Sequence, residues 1–151
     1  MKDLSKEEME TLLKTVGDGV LAFSSDDVPY CIPFGFVCID GEVYISLFPK
    51  GRKWEMLTKN KRVCFTAFTW NEDHTEWASV VIDGKMELVT DLKEIEAVVK
   101  ANIEKLGLDP DAYLGKRMAM YKKTMNTKAA LKIFRIKTER MGGRKMKFLI
   151  Q

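Results

Sequence analysis

The chain has 151 residues, 46% hydrophobic and 31% charged, with a formal net charge of +3. That length fits one domain, residues 1–151, with a sizeable core, and the composition argues against a disordered chain. The small positive balance does not imply nucleic acid, and no apolar run approaches the length of a membrane span.

The N-terminus, MKDLSKEEME, is acidic and polar where a secretory leader would be basic and then apolar, so a cytoplasmic location is expected. Ser5 to Glu8 reads as a capping box, with Leu4 and Met9 placed for a hydrophobic staple. Met9, Leu12, Leu13 and Val16 then recur at helical spacing, and Gly17 is a suitable terminator. Gly19 to Ser24 reads as a strand and Ser24 to Asp27 as a turn.

Tyr30 to Ile39 is apolar at nearly every position, which suits a strand buried on both faces. Pro33 removes a ladder donor and predicts an edge, a bulge or a ligand beside that strand. Asp40-Gly41 is a two-residue hairpin signal leading into a strand over Glu42 to Phe48. Cys31, Cys38 and Cys64 are odd in number, form no CxxC pair and lie in strand-like runs, so buried free thiols are expected. His74 is the only histidine and lies in a polar loop, Asn71 to Glu76, without a cluster at metal-ligand spacing; no zinc site is expected.

Lys50-Gly51-Arg52-Lys53 opens a short helix whose inward face carries Trp54 and Leu57. A helix start presents unpaired backbone N–H groups and partial positive charge, to which Arg52 and Lys53 add two cations, so the turn suits a phosphate. Gly51 would let the backbone approach the anion. Neither a P-loop nor a Rossmann glycine pattern is present, and from the turn alone a solvated basic cluster is the competing reading.

Arg62 to Trp70 and Trp77 to Val89 follow as strands, with Gly84 marking a bulge. Asp91 to Glu94 is a second capping box, opening a helix that ends at Gly107. Asp109-Pro110 starts a further helix from about Asp111 to about Thr124, and Ala129 to Thr138 is a sixth strand. Residues 141–151 are read as a basic tail, including Arg144, Lys145 and Lys147. The whole predicts a mainly β chain with peripheral helices, its six-stranded antiparallel sheet curled into a small barrel.

The order of a first helix, GVLAFSS, PYCIPFGF, the DG hairpin, VYISLF, the GRK turn and WASVVIDGKMEL resembles the FMN-binding split β-barrel proteins related to pyridoxamine 5'-phosphate oxidase, most of all the nitroimidazole-resistance branch. The likeness runs from about Leu12 to about Ile136. It implies an FMN-dependent oxidoreductase passing hydride or electrons to a small acceptor, usually a homodimer with FMN at the subunit interface.

By this resemblance Arg52 and Lys53 take the phosphate, beside Gly51, and the backbone of Ile32, Pro33 and Phe34 lies along the isoalloxazine ring. Ser46, Leu47 and Phe48 contact the flavin from the next strand, and Ser79 reaches the ribityl or phosphate region. The C-terminal FRIKTERMGGRK has no histidine where true B6 oxidases carry an Arg-x-His element, which argues against B6 oxidation. Ser46 stands where the nitroimidazole-reductase branch often has histidine. The alternatives are a flavin- or haem-binding protein without turnover, and a nucleic-acid binder using Arg140, Arg144, Lys145 and Lys147.

Overall fold

The computed structural model describes residues 1–148. In chain order the elements are β1 (Lys2–Asp3), α1 (Lys6–Thr15), β2 (Asp18–Ser25), β3 (Val28–Gly35), β4 (Val37–Ile39) and β5 (Glu42–Leu47). They continue with α2 (Gly51–Lys59), β6 (Arg62–Trp70), β7 (Glu76–Leu88), α3 (Leu92–Lys105), α4 (Pro110–Thr124) and β8 (Lys132–Lys147).

All strands join one antiparallel sheet in the order β3-β2-β6-β7-β8-β5-β4, with β1 added beside β8. Its two edge strands, β3 and β4, are consecutive in the chain and are joined through Phe36 alone. That connection forces the sheet to curl until its edges lie one residue apart, giving an antiparallel half-barrel, as the split-barrel reading requires. The Phe36 N–H donates to the Gly17 carbonyl at 3.1 Å, which ties this corner to the end of α1.

Local chemistry explains the elements. Ser5 and Glu8 form the predicted capping box, each side chain accepting from the other residue's N–H at 3.1 Å. Both tight hairpins turn through left-handed residues: Asp26 and Asp27 (φ 52° and 60°), then Asp40 and Gly41 (φ 51° and 78°). Two positive φ values are what a two-residue turn needs to match the strand twist. The register of β7 on β8 shifts at Asp83/Gly84, the predicted bulge, where Gly84 faces Thr138 and Asp83 faces Arg140. A Cβ on Gly84 would lie 2.3 Å from the Lys137 carbonyl oxygen, so the strands close there only around glycine.

Strand alternation separates two cores. Val43, Ile45 and Leu47 of β5 point into the half-barrel with Leu21, Phe65, Val80, Ile82 and Ile136. Phe36 meets Phe65 edge-to-face there, ring centroids 4.9 Å apart. Tyr44 on the opposite face of β5 joins Ile95, Val98, Met118 and Ile133 in a second cluster under α3 and α4.

Several sequence expectations are corrected. Tyr30 to Ile39 is not one doubly buried strand: it breaks at Phe36 into β3 and β4, and β3 is an edge strand with one exposed face. Pro33 therefore lies on an edge, as its missing donor demands, while Cys31 is exposed and not a buried thiol. The described strands number eight, not six, and the last runs Lys132–Lys147 in place of Ala129 to Thr138. Residues 141–147 are thus paired strand, not tail, and 149–151 of that expected tail lie outside the described residues.

The second capping box is half made. Asp91 accepts from the Glu94 N–H at 3.3 Å, but the Glu94 carboxylate is drawn away to Tyr44 and Arg135. Likewise α1 stops at Thr15 with Val16 as its extended cap, so Gly17 does not terminate it.

Candidate functional site

Two loci gather the residues singled out by sequence. The first is the start of α2. Lys50 caps it without a side-chain hydrogen bond, Gly51 turns the chain at φ 77°, and the first turn holds no acidic residue. The helix therefore opens with free N–H groups among three basic residues. Lys53 Nζ donates back to the Lys50 carbonyl at 3.2 Å, and the Arg52 guanidinium lies 4.3 Å from the centroid of the Tyr30 ring on β3. That stacking brings the helix start against the strand carrying Ile32, Pro33 and Phe34. Tyr30, Ile32 and Phe34 pack against the inner core, while Pro33 faces outward.

The second locus is a cavity of about 750 Å³ between α3, α4, the 127–131 segment and the ends of β5 and β8. Period-two alternation sends Leu47 into the half-barrel, where it is buried, and turns Ser46 and Phe48 toward the cavity. Phe48 is 51% exposed at its mouth, with Lys50 Nζ 5.8 Å from its ring centroid, which links this rim to the α2 turn. Leu47 can offer a ligand only its backbone.

Ser79 belongs to neither locus. It sits on β7 between Phe68 of β6 and Arg144 of β8, on the outer face of the sheet. Phe68, Val81 and Trp70 are exposed on that face, at 58%, 42% and 40%. Pro33 shares it, since cross-strand partners run Pro33, Val20, Thr66, Val81.

The remaining candidates are quieter. Burial pushes the Cys38 and Cys64 thiols up, and the Asp83 carboxylate adds to the effect at Cys64. His74 sits exposed at the β6–β7 turn with φ 57°, its ring 5.7 Å from that of Trp70. Among the described residues no group of three or more His, Cys, Asp or Glu is placed to hold a metal ion, and no helix is long and apolar enough to cross a membrane. Of the basic C-terminal residues, Lys145 pairs with Glu8 at 2.6 Å and Arg144 approaches Asp3 at 3.6 Å.

Sequence reasoning missed the cavity's helical wall. Asn102, Lys105, Arg117 and Tyr121 come from α3 and α4, which the sequence marks only through their end signals. The polar residues inside those two helices are the available signal.

Solved structures share this fold. A conserved hypothetical protein from Mycobacterium tuberculosis superposes with a TM-score of 0.73 at 23% identity, covering 95% of this chain and 85% of the other. A candidate 5-nitroimidazole antibiotic resistance protein from Bacteroides thetaiotaomicron gives 0.69 at 18%, covering 95% and 86%. The FAD binding protein of Mycobacterium smegmatis gives 0.67 at 19%, covering 98% and 100%. No curated protein matches the chain. The pyridoxamine 5'-phosphate oxidase family matches residues 5–145, nearly the whole described fold, and the chain belongs to that family.

Proposed function

We propose that this protein is an FMN-dependent oxidoreductase acting on a small-molecule acceptor, as a homodimer with the flavin at the subunit interface. The observation that carries the reading is the start of α2: an uncapped helix end without acidic residues, set among Lys50, Arg52 and Lys53 and leaning on β3 through Tyr30. Those donors suit a phosphate dianion. The adjoining β3 edge and the Phe48 rim offer an apolar margin for a flat ring.

Bound FMN would supply the hydride or electron transfer. The chain's own share is binding and orientation: Arg52 and Lys53 anchor the phosphate, Pro33 leaves the β3 edge without an N–H at one position, and Ser46 and Phe48 border the space for the acceptor. The family relation and the FAD binding protein of Mycobacterium smegmatis, which shares the fold, support a flavin. The dimer is supported by the outer sheet face, where Phe68, Trp70 and Val81 are exposed beside Pro33 and Ser79, residues that lie outside the cavity under α3 and α4. The missing histidines leave drug reduction and B6 oxidation without their family residues, so the acceptor class has to come from the cavity.

The test is flavin affinity in Arg52→Ala/Lys53→Ala. Exposed charge-assisted bonds at the low end of their range, about 1.5 kcal/mol each, predict about a 100-fold loss for FMN and little change for riboflavin, which lacks the phosphate. Unchanged FMN affinity in a folded variant would refute the assignment. Mass identification of the pigment released on denaturation separates FMN from FAD.

A further inference from the structure

We propose that the cavity walled by α3 and α4 binds an apolar monoanion, an arylcarboxylate in its simplest form, with Arg117 and Tyr121 holding the carboxylate. Taken as the flavin's acceptor, in which case the ligand must carry a reducible group such as a nitro group or a quinone besides its carboxylate, this rests on the reading above; taken as a binding site it does not. The cavity, about 750 Å³, is lined mainly by aliphatic and aromatic side chains, and none of its described lining residues is Asp or Glu. An apolar body of one or two rings fits that volume and lining.

The polar groups decide the charge. Lys105 is tethered, its ammonium donating to the Gly17 and Phe36 carbonyls, so it contributes a positive field and not a free donor. Asn102 donates to the Val98 carbonyl, and the Thr124 and Thr127 hydroxyls donate to helix carbonyls. Arg117 is half-buried and makes no ion pair or hydrogen bond among the described residues, and the Tyr121 hydroxyl has no partner among them either.

These two residues are one helical turn apart on α4, so both line the same wall. A planar guanidinium with unused donors beside a phenol matches a carboxylate, which accepts from both. Among the described lining residues, one free cation and one tethered cation suit a single negative charge better than a phosphate dianion. Exposed Leu106 and Met120, at 63% and 64%, border the opening and would cover the apolar body.

The test uses 4-(trifluoromethyl)benzoate and its neutral counterpart 4-(trifluoromethyl)benzyl alcohol, followed by fluorine NMR on the full chain with and without saturating FMN. The acid is expected to bind at least about tenfold more tightly than the alcohol. Arg117→Met should erase that preference while leaving the alcohol's affinity within about threefold, Arg117→Lys should keep part of it, and Ala129→Trp at the cavity wall should weaken both probes. Equal affinity for acid and alcohol, a preference that survives Arg117→Met, or phenyl phosphate binding more than tenfold tighter than the acid would overturn the proposal. So would FMN displacing the acid competitively with Arg117→Met weakening FMN, which would make the cavity the flavin's own. Loss of FMN binding in Arg52→Ala/Lys53→Ala with acid binding intact would leave both readings standing, whereas unchanged FMN binding there would remove the flavin assignment alone.

Discussion

Arg135→Met should detach α3 from the sheet electrostatically without changing the fold. Arg135 on β8 donates to Glu87 of β7 at 2.9 Å and to Glu94 of α3, and the Tyr44 hydroxyl donates to the same Glu94 at 2.9 Å. The guanidinium holds the Glu87 carboxyl below its ordinary range, and the two carboxylates in turn raise the pKa of Arg135. The Arg135 and Glu94 side chains are 26% and 25% exposed, whereas Glu87 is 37% exposed. We therefore assign the Glu94 arm about 1.5 kcal/mol and treat the more exposed Glu87 arm as screened by solvent. For a domain of this size that lowers Tm by about 3–6 °C. Urea denaturation of Arg135→Met, Glu94→Gln and the double variant measures it, with a coupling of about 1 kcal/mol expected between the two residues. A loss under about 0.5 kcal/mol, or full additivity, would refute the reasoning.

Other outcomes follow from the same structure. Gly84→Ala should cost about 2 kcal/mol or more because its Cβ meets backbone at 2.3 Å, whereas Gly51→Ala, with nothing within 4 Å, should cost about 1 kcal/mol through its positive φ alone; similar thermal shifts for both would contradict the packing argument. Lys145 holds the Glu8 carboxyl below its ordinary 4.5, so this pair's stabilisation is present above that pH and disappears as pH falls through the lowered value. Glu8 in turn holds Lys145 above its ordinary 10.5, so the same stabilisation is lost as pH rises beyond 10.5. The Tm gap between wild type and Glu8→Gln should therefore be flat near neutrality and shrink below about pH 4.5, and a gap independent of pH counts against the pair. Phe68→Asp should convert the proposed dimer to monomers by light scattering and release FMN with it; a dimer that persists would place the interface elsewhere.

Much of the fold was legible because its signals are local. The Ser5 box, the Asp40-Gly41 turn and the Gly84 bulge each lie within a few residues of sequence, and each stands where the spacing put it. What failed was non-local. Nothing near Phe36 announces that the strand changes partners there, because the break is dictated by the curl of the whole sheet. The strand extension past Thr138 depends on β7 being equally long, which hydropathy in a Lys- and Arg-rich run conceals. Glu94 was legible as a cap but not as a partner of Tyr44 and Arg135, residues 50 and 41 positions away. Of the site, the α2 turn could be read because a helix start carries its own charge pattern. The cavity could not, since its wall is assembled from two helices distant from β5 in sequence.

The place of β8 in the sheet also sets an order of events during synthesis. β8 is the last described strand to be made, yet it lies between β7 and β5 and completes the longest ladder. Until it emerges, β2, β3, β6 and β7 can pair, but the β4–β5 hairpin has no neighbour to join them through. About 60 residues separate the end of β7 from the end of β8, which at ribosomal speeds is about 3–12 s. For that interval the β7 edge and the inner face of β5 are uncovered together, and Val43, Ile45, Val80 and Ile82 become the segment that a chaperone would have to shield.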